Sequence, residues 1–476
     1  MADELWAWDE LLKAVPFAVA DGKPDCAITG FSIDTRTIAP GNVFVALKDQ
    51  RDGHDFVTTA FKTGATCAIV SVAYERKPGD GALLRVLDTL KALERIGIAA
   101  RARLAPEARV IAVTGSAGKT GTKEMLRACL LAVAPGRVHA SEKSYNNHWG
   151  VPLTLARMPR DTQYAVFEIG MNHAGEIRAL TKMVLPHAAI ITTVEAVHLE
   201  HFGSVEAIAD AKAEIFEGLV SGGSAIIKRD SPHFERLRAR AQAQSAKVIS
   251  FCLDDRANVH VEKLNLGENG SDIIARVGDK RVLYRIAIPG RHIAENSLAV
   301  VAALDAVGAL LKPALLALAT LPPPPGRGAR TTLTVPGGEI LLIDESYNAN
   351  PASMRAALAT LDTISRAKFD RRIAVLGDML ELGPDAPNLH RNLFEAVDGA
   401  GIDQLFACGP HMKGLYDAAP AAMKGGYAET AASLAPVVMA QLRAGDAVIV
   451  KGSNGTRLGP LVDAIKARFG RDTLVR

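Results

Sequence analysis

The chain has 476 residues, room for about three domains at roughly 150 residues each. Hydrophobic residues make up 48% and charged residues 22%, which excludes a disordered, collagen-like or disulfide-scaffold chain. With 55 Lys and Arg against 52 Asp and Glu, the formal charge is only +3, so there is no whole-protein case for nucleic acid or an anionic membrane, although a local basic pocket is not excluded.

The N-terminus, MADELWAWDELLKAVPFAVADGK, carries acids where a secretion signal needs a basic start, and it reads as a short amphipathic helix. CAITGFSIDTRTIAPGNVFVALKD then has two apolar runs around a polar turn, and TGATCAIV reads as a buried strand. From Arg109 the rhythm changes. RVIAVTG, YAVFEIGMN, AAIITTVEAVH and GSAIIKRDS are short apolar strands that end in polar or glycine residues, with helical segments between them. That alternation predicts a mostly parallel sheet covered on both faces. The most apolar stretch, from Leu298, is broken by Asp305, Lys312 and Pro313, so it reads as two buried helices and not a membrane span.

Four prolines from Pro322 look like a stiff connector. Beyond them EILLIDESYNANP, RIAVLGDML, QLFACGP and DAVIVKGSNG are again strands feeding polar loops. The fold class expected is α/β, with domains over residues 1–107, 108–326 and 327–476. The five scattered cysteines, Cys26, Cys67, Cys129, Cys252 and Cys408, read as reduced thiols in a cytoplasmic protein with no zinc site.

Ligands of open parallel sheets sit beyond the carboxyl ends of the strands. The strongest signal there is VTGSAGKTGTKEML, from Val113 to Leu126. A strand runs into a glycine loop, and Lys119-Thr120 open a helix. Gly115 and Gly118 let backbone N–H groups approach phosphate oxygens, and the helix N-terminus adds a positive dipole end. Thr114 to Thr120 (Thr114, Gly115, Ser116, Ala117, Gly118, Lys119, Thr120) are therefore read as binding a nucleoside triphosphate, with Thr120 ligating Mg²⁺. The loop is GxxGKT, two residues shorter than the usual GxxxxGK[ST]. Glu168, directly after apolar strand residues, is either a Mg²⁺ ligand opposite Thr120 or a strand-end acid paired to a lysine. By residue type alone His198 reads as a structural histidine, Lys212 as a solvated helix residue and His201 as a surface residue.

The motifs TGSAGKT, NNHWGVPLTLARM, EIGMNHAGEI, HLEHFGS, AKAEIF, GRHIAEN, PGRGAR, DESYNANP, LGDMLELG and KGSNGTR stand in one order along nearly the whole chain. In that order they resemble the Mur ligases, the ATP-dependent amide-forming enzymes of bacterial cell-wall precursor synthesis. DESYNANP and LGDMLELG are most similar to the branch that adds D-alanyl-D-alanine to UDP-N-acetylmuramoyl-tripeptide. The DNPR signature of the diaminopimelate-adding branch is absent. Folylpolyglutamate synthases share only the short phosphate loop.

The resemblance implies a small α/β N-terminal domain for the UDP end of the precursor, a central P-loop ATPase and a C-terminal Rossmann-like domain for the incoming dipeptide. It implies that Lys212 can be carbamylated by CO₂ and, with His198 and Glu168, hold Mg²⁺; the amine must then be neutral, its pKa lowered by burial or nearby Mg²⁺. Asn296 is placed at the adenine ring, with His292 carried over less firmly because Ile293 replaces the usual asparagine. Arg327 is expected at the phosphates, unless it is a solvated linker residue, and Asp344 at the ribose.

Tyr347, Asn348 and Asn350 are placed near the incoming amine, although a plain helix cap also explains Asn350-Pro351. Asp378, Lys451, Ser453 and Arg457 sit at strand ends, and the last three are assigned to the dipeptide. Asp34, Thr35 and Arg36, supported by Asp52, are assigned to the UDP end, and Asn146 and Asn147 to the muramoyl sugar. A monomer with no nucleic-acid partner is expected. The rivals are a sister ligase, a folylpolyglutamate-type ligase and a nucleotide-binding regulator that forms no amide.

Overall fold

A computed structural model describes residues 4–142, 145–197 and 199–470. Its architecture is mixed α/β, built on three sheets. The first holds β1 (Val19–Asp21), β2 (Gly30–Ser32), β3 (Asn42–Val45), β4 (Cys67–Ser71) and β5 (Ala82–Val86) in the order β1-β5-β4-β3-β2. All of its pairings are parallel except β1 on β5.

The layer around this sheet is joined to the central part of the chain. The helix Thr89–Ala102 packs on the helix Gly150–Ala156, and at Gly97 an added Cβ would stand 3.1 Å from the Leu155 Cβ. Trp6 donates its indole N–H to the Ala156 carbonyl at 2.9 Å, and the Arg103 guanidinium lies 3.9 Å over its ring. Leu153 and Ala156 accordingly belong to the same apolar core as Trp6, Phe31 and Leu93.

The second sheet holds β6 (Arg109–Thr114), β7 (Val138–Ala140), β8 (Tyr164–Glu168), β9 (Ala188–Ile191), β10 (Ser224–Lys228), β11 (Lys247–Phe251), β12 (Val259–Gly267), β13 (Gly270–Val277) and β14 (Lys280–Ile286). Their order is β14-β13-β12-β11-β10-β9-β6-β8-β7. From β7 to β12 every pairing is parallel, and both faces of this part are covered by apolar clusters. The strand β6 lies between β9 and β8, so the chain leaving it emerges where the strand order reverses, the position at which open α/β sheets bind ligands.

The antiparallel β12–β14 ribbon has no counterpart among the expected strands. Its alternating charges (Glu262, Arg276, Arg281) pair across its exposed face, and that two-residue rhythm is weaker than a continuous apolar run. The apolar stretch after Leu298 falls in two helical segments, Arg291–Ala306 and Leu311–Leu316.

Pro322–Pro325 lie outside helices and strands, just before the third sheet. That sheet holds β15 (Ala329–Val335), β16 (Gly338–Glu345), β17 (Arg371–Gly377), β18 (Gln404–Cys408), β19 (Lys424–Ala428) and β20 (Asp446–Lys451), ordered β15-β16-β20-β17-β18-β19. Only β15 with β16 is antiparallel. Cys26 is exposed, and the other four cysteines are buried free thiols. Among the described residues no helix is long and apolar enough to cross a membrane.

Candidate active site

Beyond Thr114 the chain turns through Gly115, at φ +149°, and Gly118, at φ +82°, into the helix Lys119–Val133. Glycine is required at both places. A Cβ on Gly115 would fall 1.9 Å from the Thr192 hydroxyl, and one on Gly118 would fall 2.6 Å from the Asn296 amide nitrogen. The loop is braced from the end of β9, where Ser116 N–H donates to the Thr193 carbonyl at 2.9 Å and Ala117 N–H to the Thr193 hydroxyl at 3.3 Å. What the bracing leaves open is the first turn of the helix, whose N–H groups have no acceptor within the helix. A preformed concavity of this kind is an anion site.

Lys119 reaches across the loop mouth and donates to the Gly115 carbonyl at 2.6 Å. Burial pulls its pKa down, the Glu168 charge opposes that, and Arg327 adds to it. One residue on, the Thr120 hydroxyl donates to Glu168 Oε2 at 2.8 Å, and Asn146 donates to Glu168 Oε1 at 2.7 Å. Glu168 is 1% exposed and Thr120 6%, so two hard oxygens stand side by side at the foot of the helix. Mg²⁺ takes one or two protein oxygens and completes its shell with phosphate oxygens and water. The pair fits that pattern, and no group of three His, Cys, Asp or Glu able to hold a metal exists among the described residues.

A cavity of about 860 Å³ opens in front of this cradle. It gathers Ser116 to Lys119, Asn146, Asn147, Glu168 and Asn296 from the second sheet, and Arg327, Tyr347, Asn348, Asn350 and Lys451 from the region of the third. Arg327 stacks 4.3 Å over the Tyr347 ring, so it is not a free linker side chain. Lys451 is buried, pairs with Glu345 at 3.1 Å and donates to the Asn348 carbonyl at 3.0 Å.

Asn350 spends its side-chain oxygen on a capping box with Ser353, opening the helix Pro351–Asp362. Asn147 likewise accepts from Trp149 and Gly150 at the start of the helix Gly150–Ala156. The cap expected at Asn350-Pro351 is therefore present, with the residue also at the cavity wall.

Other expected residues stand apart from the cavity lining. Asp344 is buried and accepts from the Ser346 N–H and hydroxyl. Ser453 accepts from Leu380 N–H, Arg457 is exposed, and Asp378 caps the chain at Met412. Asp34 caps the turn Thr35–Thr37 and pairs with Arg36 at 2.6 Å, far along the chain on the first sheet. Asp52 caps the turn at His54.

Lys212 does not read as its residue type suggests. It is 3% exposed on the helix Val205–Ala213, and burial, reinforced by the Lys119 charge, holds its amine well below the ordinary lysine range. His201 is exposed, as its residue type suggests, and its ring lies 4.7 Å from that of His173. His198 lies outside the described residues.

Sequence reasoning missed five charged wall residues, Glu176, Glu195, Lys228, Glu295 and Glu345. Lys228 and Glu345 end apolar strands, as Glu168 does, so the signal that picked out Glu168 was present for them too. Lys228 pairs with Glu295 at 3.0 Å.

Comparison with known proteins accounts for this arrangement. The Mur ligase middle domain matches residues 113–304, and the Mur ligase glutamate ligase domain matches residues 330–454. An Escherichia coli protein named UDP-N-acetylmuramoyl-tripeptide–D-alanyl-D-alanine ligase is 37% identical over 389 residues, 81% of this chain and 82% of that protein. The chain belongs to the Mur ligase family. A Mur ligase of the same name from Rickettsia prowazekii is 31% identical over 90% of this chain and 93% of its own. The crystal structure of a further Mur ligase, MurF from Acinetobacter baumannii, superposes with a TM-score of 0.84 at 29% identity, covering 98% of this chain and 100% of that one.

Proposed function

We propose that this Mur ligase adds D-alanyl-D-alanine to UDP-N-acetylmuramoyl-tripeptide at the expense of ATP, the reaction for which its relatives are named. A carboxylate cannot be attacked by an amine directly, because the leaving group would be an oxide. The tripeptide carboxylate oxygen first takes the γ-phosphoryl group, giving an acyl phosphate and ADP. The amine then attacks the acyl carbon, the amide forms, phosphate leaves, and the amine proton passes to solvent or a neighbouring base.

The protein's part in the first step is positioning and charge stabilisation. Residues Gly115 to Thr120 offer backbone N–H groups to the phosphates. Lys119 and Arg327, which both line the cavity, are assigned to the moving charge. Thr120 and Glu168 are the residues that would hold Mg²⁺. Bound there, Mg²⁺ would neutralise charge on the β- and γ-phosphate oxygens. Asn296, buried against Gly118, is assigned to the adenine and Asp344 to the ribose.

Lys212 is assigned as a carbamate. Its neutral amine adds CO₂ and releases a proton, and the resulting carbamate would offer an anionic oxygen donor to a second Mg²⁺, for which His198 is the other assigned ligand. The burial of Lys212 supports this, since an ammonium there would cost more than a carbamate beside a cation. Asn146 and Asn147 are assigned to the muramoyl end and Asp34, Thr35 and Arg36 to the UDP end. Tyr347, Asn348, Asn350, Lys451, Ser453 and Arg457 are assigned to the dipeptide, and Lys451 and Asn348 already touch at the wall facing the phosphate loop. In this scheme residues 1–107 carry the UDP end, 108–326 the ATP and 327–476 the amine. One chain supplies every part, so the enzyme is expected to act as a monomer, in the cytoplasm where ATP and nucleotide-linked precursors meet.

The observation that carries this reading is the single cavity joining the Thr120–Glu168 cradle to Arg327, Asn348 and Lys451. The test is ADP release measured with the UDP-tripeptide and each candidate amine in turn. Release that needs both the tripeptide and D-alanyl-D-alanine is expected. Release with glutamate and folate, or with a shorter precursor and a single amino acid, would move the chain to a sister reaction. ATP hydrolysis indifferent to both would leave a regulator.

A further inference from the structure

Lys123 is a fully buried cation on the helix that opens with Lys119, and nothing in the proposed reaction uses it. It does not line the cavity. Burying an ammonium is costly unless it is paired and hydrogen-bonded, so its partners say what it does. Its Nζ donates to the Ser141 carbonyl at 2.8 Å and pairs with Glu124 at 2.7 Å. Ser141 follows β7, an edge strand of only three residues, and begins the segment that carries Asn146 and Asn147.

Ser141 is in turn bound to the strand of the metal-site acid. Its N–H donates to the Val166 carbonyl at 3.1 Å, and its hydroxyl accepts the Glu168 N–H at 3.2 Å. Further along, the Asn146 side chain donates to Glu168 Oε1, and its backbone carbonyl accepts Gly170 N–H at 2.8 Å. Residues three apart on a helix share a face, so Thr120 and Lys123 point the same way. Thr120 holds the Glu168 carboxylate, while Lys123 holds, through Ser141, the backbone from which that carboxylate projects.

We infer that Lys123 is a positioning residue, fixing Ser141 and, through it, the orientation of Glu168 relative to the phosphate loop. It acts through Ser141 and from outside the cavity lining. The inference rests on Glu168 being a Mg²⁺ ligand, as proposed for the reaction. The groups around a metal ligand that orient it typically change metal affinity about 10- to 100-fold when removed.

Lys123→Met is close in length and removes the charge, and such replacements of buried ion pairs are often tolerated. The test is calorimetric ADP binding with and without Mg²⁺, alongside KM for the UDP-tripeptide and the melting temperature. For a folded Lys123→Met protein, ADP affinity without Mg²⁺ should match wild type. The gain in affinity that Mg²⁺ confers should fall about 10-fold. KM for the UDP-tripeptide should rise more than kcat falls, because Asn146 is bonded to the Glu168 carboxylate.

Lys123→Arg should restore most of the Mg²⁺ effect. An unchanged Mg²⁺ gain would overturn the inference. So would a loss of equal size with and without Mg²⁺, which would place the lysine at the phosphates instead. Should Lys123→Met not fold, Ser141→Ala decides, since it removes only the hydroxyl that takes the Glu168 N–H, and an unchanged Mg²⁺ gain there would again overturn it. Lys119→Met serves as the control, because retained ADP binding in that variant would refute the phosphate-loop reading itself and not the role of Lys123.

Discussion

Lys119 lies just past β6 and Lys451 ends β20, and both line the same cavity, yet their surroundings differ. Lys451 has its own carboxylate, Glu345, at 3.1 Å and a carbonyl at 3.0 Å. Lys119 donates to one neutral carbonyl, and no carboxylate of the described residues lies within ion-pairing reach. The same contrast holds around them. Asn350, Asp344 and Ser453 are bound to backbone N–H groups, whereas Lys212 is buried and feels the charge of a second cation, Lys119. A protein bears the cost of unbalanced buried charge where a ligand is to supply the balance. The central half is thus built around the charge of its ligands, and the C-terminal half is built to be rigid before they arrive.

The contrast is broken most directly at Lys119. Lys119→Met should lower ADP formation by about 10³-fold, the upper range for loss of one donor to transition-state charge. UDP-tripeptide binding should persist, which calorimetry with that ligand alone would check. Lys451→Met should cost far less activity and more stability, since it strands Glu345. Equal losses of kcat at the two lysines would erase the distinction.

Glu168→Gln comes next. It keeps the volume and can still bond Thr120 and Asn146, but it halves the hard-oxygen character of the pair. We expect about a 10²-fold loss of activity, partly recovered at raised Mg²⁺. A titration of rate against Mg²⁺ reads this, and a loss independent of Mg²⁺ would deny the metal role.

Much of this was legible in the sequence. GxxGKT after an apolar strand predicts the cradle with no tertiary information, because strand, glycine loop and helix start are local features. Glu168 was legible for the same reason, as an acid ending an apolar run. Lys212 was not, since a lysine in AKAEIF looks solvated until the fold buries it, and only the family resemblance marked it. Lys228 and Glu295 show the opposite failure. Each is unremarkable alone, and their partnership joins β10 to a helix more than sixty residues away, which no spacing rule reaches. The β12–β14 ribbon was missed because its strands alternate instead of running apolar.

Lys212 also offers a sign test that involves no turnover. Its folded pKa lies well below the ordinary 10.5, so between the two values the unfolded chain binds a proton that the folded chain does not. Stability must therefore rise with pH across that interval. Lys212→Met removes the penalty. In CO₂-free buffer the variant should melt a few degrees higher, about 3 °C, at neutral pH. The advantage should shrink to nothing as pH approaches 10.5. Adding bicarbonate should stabilise wild type and leave the variant unmoved. A wild-type curve flat from neutral pH upward would mean that Lys212 has a counter-charge.

The smallest effect sharpens the other side of the comparison. Asn350 accepts Ser353 N–H at 2.8 Å with its side-chain oxygen, and that bond alone would justify its presence. Asn350→Ala should cost about 1 kcal/mol of stability, the usual worth of an N-cap. Asn350→Asp keeps an oxygen for the cap and loses only the amide N–H donors, so its melting temperature should match wild type. Any rise in KM for D-alanyl-D-alanine shared by the two variants then belongs to the amide and not to the helix. We expect such a rise, because Asn350 also lines the cavity beside Asn348. An aspartate variant with wild-type KM would reduce Asn350 to a cap, and the amine would have to be held by Lys451 and its neighbours alone.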